Sequence, residues 1–148
     1  MRYFKDSSGR EWSISVTIGA AMLLKEKLGI DLLQPEQGKV PLVTRLGTDE
    51  ILLAQTIATL LEKQFDEKKV SATDIYDLFD GATLEAAHKA FYEDLIDFFQ
   101  KSGRDDRATI IRRQMEVIML GVEKMKTRIE GIDIQARLDQ EIQRLEAV

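Results

Sequence analysis

The chain has 148 residues, a formal net charge of −5 and a pI near 5.0. That acidic balance argues against a protein whose main task is neutralising phosphates, and the absence of cysteine excludes disulfides and thiolate metal sites. The segment Met1 to Glu11 lacks the apolar core of a signal peptide, and no run approaches the ~18 apolar residues a membrane helix needs. The sequence therefore predicts one soluble, intracellular domain of common size.

The first element is a hairpin. Asp6-Ser7-Ser8-Gly9 is turn chemistry, because Asp and Ser bond locally to backbone and Gly accepts positive φ. Tyr3 and Phe4 precede the turn. After it, Trp12, Ile14 and Val16 alternate with Ser13, Ser15 and Thr17, the period of a half-buried strand. A two-stranded hairpin is marginal in water, so Trp12, Ile14 and Val16 are expected to anchor it on helices.

Thr17 suits an N-cap, Ile18 to Leu28 reads as helix, and Gly29 as its stop. Ile30, Leu32 and Leu33 form an apolar plug before a loop, residues 34–41, that holds both prolines. A short helical turn is expected over Leu42 to Leu46, ending at Gly47. Thr48 or Asp49 then caps a helix from Glu50 to Phe65 with Leu53, Ile57, Leu60 and Leu61 as its main stripe. Asp66 to Val70 reads as a charged connection. Ser71-Ala72-Thr73-Asp74 is a near capping box opening a short helix to Phe79, broken at Asp80-Gly81.

The next helix is expected from Ala82 to Gln100, burying Leu84, Ala87, Phe91, Leu95 and Phe98. Its polar line, Glu85, Lys89, Glu93, Asp97 and Lys101, recurs at four-residue spacing and marks a solvated face. The polar stretch from Lys101 to Arg107 is the candidate boundary between a hairpin-plus-helix domain, 1–100, and a C-terminal segment, 101–148. In that segment Ala108, Ile111, Met115, Ile118, Val122, Met125, Ile129, Ile132 and Ala136 recur at alternating spacings of three and four, an a/d heptad seam. Leu138, Ile142 and Leu145 continue it out of phase, and Gly121 and Gly131 interrupt it. The seam fits a partner-binding helix, with Ile111, Met115, Ile118, Val122, Met125 and Ile129 as contact residues. It equally fits a last helix packed on its own domain. The methionines Met115, Met119 and Met125 suit an adaptable groove and also ordinary core filling.

Other clusters carry less. Residues 101–128 hold eight basic and four acidic side chains, and residues 62–100 hold four basic and ten acidic. The arginines Arg104, Arg107, Arg112 and Arg113 are candidate phosphate contacts, interrupted by Asp105 and Asp106 and lacking interleaved aromatics. The charge asymmetry also suits attraction between copies. Asp74, Asp77 and Asp80 resemble the start of a calcium loop without its glycine and closing glutamate at the needed offsets. His88, the sole histidine, reads as a packing residue near Phe91 and Tyr92. No catalytic constellation, metal site or cofactor motif is found, so the chain is expected not to be an enzyme.

The ordered segments F-x-D-S-x-G-R-x-W-x-I, K-E-K-L-G-I-D-L-L, D-E-I-L-L and D-L-F-D-G-A-T-L-E-A-A with D-L-I-D-F-F, spread over residues 3 to about 100, resemble the tail assembly chaperones of long-tailed bacteriophages and prophages. The resemblance implies a non-catalytic protein of the bacterial host cytoplasm, absent from the finished virion. Such proteins bind the long, helical tape measure protein, keep it soluble and help recruit tail tube protein; many are made in two lengths by a ribosomal frameshift. The expected fold is mainly α, with an N-terminal β-hairpin on a helical domain and a long amphipathic C-terminal helix. The rival readings are a self-associating helical adaptor, forming a homo-oligomer, and a nucleic-acid accessory protein using the Arg104–Arg113 patch.

Overall fold

A computed structural model of the protein describes residues 1–130 and 134–147. They fall into two compact units, Met1–Met115 and Glu116–Val148. The fold is mainly α with an antiparallel N-terminal hairpin, as the sequence predicts. The division falls inside a helix, beyond the polar stretch at 101–107.

In the first unit, β1 (Arg2–Lys5) pairs with β2 (Glu11–Ile14) in a register that sets Phe4 opposite Trp12. Asp6 organises the turn. Its carboxylate accepts from the backbone N–H groups of Ser8 (2.8 Å) and Arg10 (3.1 Å), from the Ser8 hydroxyl (2.6 Å) and from Trp12 Nε1 (2.8 Å). Burial pushes this carboxyl up, but those four donors outweigh it and hold it below the usual range. Phe4, Trp12, Ile14 and Val16 are buried, and Trp12 meets Phe65 edge-on at 6.2 Å between ring centres.

Helix α1 (Ile18–Leu28) starts where Thr17 accepts from the Ala20 N–H at 3.0 Å. It stops at Gly29, whose φ of 66° lies in the left-handed region that glycine enters at no steric cost. The plug residues Ile30 and Leu32 are fully buried. Helix α2 (Leu42–Thr48) runs one residue past Gly47, because Asp49 both closes it and caps α3 (Glu50–Leu61) through a 3.0 Å bond from Leu52 N–H. The helix expected to reach Phe65 ends at Leu61. A 3-10 turn, Glu62–Gln64, and α4 (Phe65–Lys68) follow, so the expected charged connection is largely helical.

That break positions Gln64. Its side-chain amide accepts from Ser13 N–H (3.0 Å) and donates to Ser13 C=O (2.8 Å), supplying the open edge of β2 with the two bonds a third strand would give. Ser71 Oγ accepts from Asp74 N–H (3.0 Å) at the start of α5 (Asp74–Asp77), and Asp80 caps α6 (Gly81–Lys101) through Thr83 N–H (2.8 Å).

Helix α6 is the floor of the unit, with β1, β2 and α3 packed on it and α1 and α2 on α3. It buries Ala87, Phe91, Leu95 and Phe99. Phe98, expected inside, is half-buried; the four-residue step from Leu95 carries the core face to Phe99 instead. Asp94 is buried in the helix yet charged-partnered, accepting from Val16 N–H at 2.6 Å with the Met1 amino group 2.7 Å from its other oxygen. Arg2 adds a 2.7 Å ion pair to Asp97.

The His88 ring lies 4.8 Å from that of Tyr92, tilted by 55°, and neither His88 Nε2 nor the Tyr92 hydroxyl has a hydrogen-bond partner among the described residues. Burial pushes His88 down to about 4 and Tyr92 up.

Replacing Trp12 with Ala should cost about 3–5 kcal/mol in chemical denaturation, whereas Tyr3→Ala, on the exposed side of the hairpin, should cost under about 0.5 kcal/mol. Because His88 is held neutral in the fold and protonates near its ordinary value once unfolded, stability should be unaffected above about pH 6.5. It should fall as the pH drops from there toward about 4, by at most about 1.4 kcal/mol per pH unit. Denaturation of His88→Gln across pH 5 to 7 should show that slope removed.

Candidate partner-binding surface

Helix α7 (Asp105–Glu130) carries the heptad seam. Asp105 and Asp106 in its first turn oppose the positive end of the helix dipole. Arg104 clasps Asp106 through two bonds of 3.0 and 2.8 Å, which holds the Asp106 carboxyl at about 2. Arg107 pairs with Glu36 at 3.0 Å and lies over the Phe99 ring at 6.0 Å. Two of the four arginines proposed for phosphate contact are thus already matched by carboxylates. Arg112 and Arg113 are exposed.

The seam divides along its length. Ala108 and Ile111 are 0% exposed and belong to the core of the first unit. Ile111, expected among the partner contacts, is therefore closed to a partner. Met115 and Ile118 are half-buried. Val122, Met125 and Ile129 are open, at 45%, 59% and 55% exposure. Ile132 and Gly131 lie outside the described residues, as does the side chain of Ala136. Trp12, Ile14 and Val16, by contrast, all sit where the sequence placed them, in the core.

The structure adds residues the heptad pattern passed over. Val117 and Leu120, beside Met119, are exposed large apolar side chains. At 100° per residue, Val117, Ile118, Met119, Leu120 and Val122 surround the helix on nearly every side. The signal lay in plain view: five of the six residues in V-I-M-L-G-V are apolar, and a helix apolar all round is normally enclosed. Gly121 sits within this collar and faces open space, since a Cβ built on it meets nothing within 4 Å.

Helix α8 (Ile134–Glu146) repeats the theme, with Leu138, Ile142 and Leu145 aligned and exposed. Every side chain described from Met119 onward is exposed. The second unit therefore has no buried core among its described residues. Helices of this length gain most of their stability from packing an apolar face. Each Val, Leu, Ile or Met that a partner fully covers contributes about 1.5–3 kcal/mol. What this arrangement can do is bind another amphipathic helix; the described residues contain no group of His, Asp or Glu arranged to hold a metal ion.

No family model, curated protein or solved structure matches this chain. Its surface is accordingly read from its own residues. No helix among those described is long and apolar enough to cross a membrane.

The division of the seam has a direct test, since Trp12 is the single tryptophan and its fluorescence reports the first unit. Val122→Asp should leave the denaturation midpoint within about 0.5 kcal/mol of the parent, while Ile111→Asp should cost more than about 3 kcal/mol by burying an unpaired charge.

Proposed function

We propose that this protein is a non-catalytic tail assembly chaperone of a long-tailed bacteriophage or prophage, acting in the bacterial cytoplasm. It holds the tape measure protein soluble and helps bring tail tube protein to it. The observation that carries the reading is the apolar stripe that begins at the half-buried Ile118 and opens at Val122, Met125 and Ile129, on a helix whose first turns belong to the first compact unit.

A tape measure is a long helix that exposes apolar surface until the tube encloses it. A chaperone for such a client needs an apolar helical face, moderate affinity and its own solubility. The stripe supplies the face. Methionines on and beside it, Met119 and Met125, adapt their shape to an irregular client at little strain. A net charge of −5 supplies solubility. Release is also physically reasonable, because a stripe spanning three helical turns gives a modest interface that polymerising tube displaces. The order of segments in residues 3 to about 100 supports the same family.

The test is a tagged pull-down from cells producing the virus, read by mass spectrometry, beside a variant carrying Ile118→Asp and Val122→Asp. The reading expects a very long helical protein and a tube protein with the parent chain, and at least about tenfold less of both with the variant. Capture of neither by the parent chain contradicts it.

A further inference from the structure

The two open stripes carry opposite charges along their borders. In α7, d positions fall at Ile118 and Met125 and a positions at Val122 and Ile129. The e and g positions beside them are Met119, Gly121, Lys126 and Arg128, so the only charges bordering the stripe are basic. Glu116, Glu123 and Glu130 all fall at b, on the outer face. In α8, d falls at Leu138 and Leu145 and a at Ile142. The e and g positions are Asp139, Glu141 and Glu146, all acidic, while Arg137 and Arg144 fall at c. In paired helices the e and g residues set the choice of partner.

We propose that the basic-bordered stripe of α7 and the acidic-bordered stripe of α8 cover one another between two copies of this chain. Pairing like with like is disfavoured. Two α7 stripes together bring Lys126 and Arg128 against their own copies, and two α8 stripes bring carboxylates together. The unlike pair alone matches apolar to apolar and cation to anion. Within one chain both stripes stay open: Val122, Met125 and Ile129 are 45–59% exposed, and Leu138, Ile142 and Leu145 are 50–72% exposed. Lys126 and Arg128 are exposed. Among the described residues Glu141 pairs with the neighbouring, exposed Arg144 at 3.5 Å.

The lengths agree as well. At ~1.5 Å per residue the α8 stripe is about 10 Å long and fits within the α7 stripe of about 16 Å. A two-fold arrangement uses each stripe of each copy once, as an isologous dimer requires. This inference stands apart from the chaperone reading, though a client binding α7 would then compete with the second copy.

The experiment is sedimentation equilibrium on the full chain, with circular dichroism as a check that each variant keeps its helices. The parent chain should reach the mass of a dimer with rising concentration, and high salt should weaken it. Lys126→Glu with Arg128→Glu makes both stripes acid-bordered. Asp139→Lys with Glu141→Lys and Glu146→Lys makes both basic-bordered. Each variant alone should dimerise at least about tenfold more weakly than the parent, and an equal mixture of the two should regain the dimer. A parent chain that stays monomeric, variants that dimerise alone as the parent does, or a mixture that stays monomeric would each overturn the proposal. The first outcome is the one expected if α8 closes on α7 within a single chain.

Discussion

Two four-residue strands bury too little surface to persist in water, so the first unit depends on how Trp12 is held against the helices. Its ring fills the space beside Phe65, and its one polar atom, Nε1, would be costly if left unpaired there. Asp6 removes that cost from the turn itself. The same carboxylate takes two backbone donors of the turn, so one side chain fixes both the shape of the hairpin and the position of its main apolar residue. From that junction the constraint spreads. Gln64 covers the edge of β2, and Asp94 ties the end of the hairpin to α6. Each of these bonds joins residues far apart in sequence, which is why the unit behaves as one piece.

Much of this was legible in the residues. Period-two alternation placed Trp12, Ile14 and Val16 inside, and the bounds of α1 followed from Thr17 and Gly29. What was not legible depended on tertiary partners. Nothing local ends α3 at Leu61; the helix breaks because Gln64 is needed at a strand edge that lies fifty-one residues away. Phe98 and Phe99 are adjacent aromatics, three and four residues beyond Leu95, and either spacing fits the buried face of a helix; only the fold makes Phe99 the buried one. The Asp6–Trp12 bond likewise requires knowing that the turn curls back over its own second strand.

The heptad seam shows a different limit. A repeat records which residues share a face, and it is silent on what covers that face at each turn. Here one seam serves two purposes. Ala108 and Ile111 complete the core of the first unit, and Val122, Met125 and Ile129 stay exposed. The exposed part of the candidate surface is therefore only partly readable from the spacing, and the collar residues Val117, Met119 and Leu120 around Gly121 lie off the heptad positions, where a three-four repeat carries no signal. The separation has a functional logic. A helix rooted in a stable unit presents its apolar stripe without drawing on that stripe for its own folding, so binding and release need not disturb the hairpin or α6.

The central claim is that the molecule joins a self-sufficient hairpin-capped unit to helices that require a partner. Hydrogen–deuterium exchange of the full chain at two concentrations tests it most directly. At low concentration the amides of β2, α3 and α6 should exchange slowly and those from Val117 through α8 quickly, with the latter slowing as concentration rises or a client is added. Equal, concentration-independent protection of both regions would contradict the account.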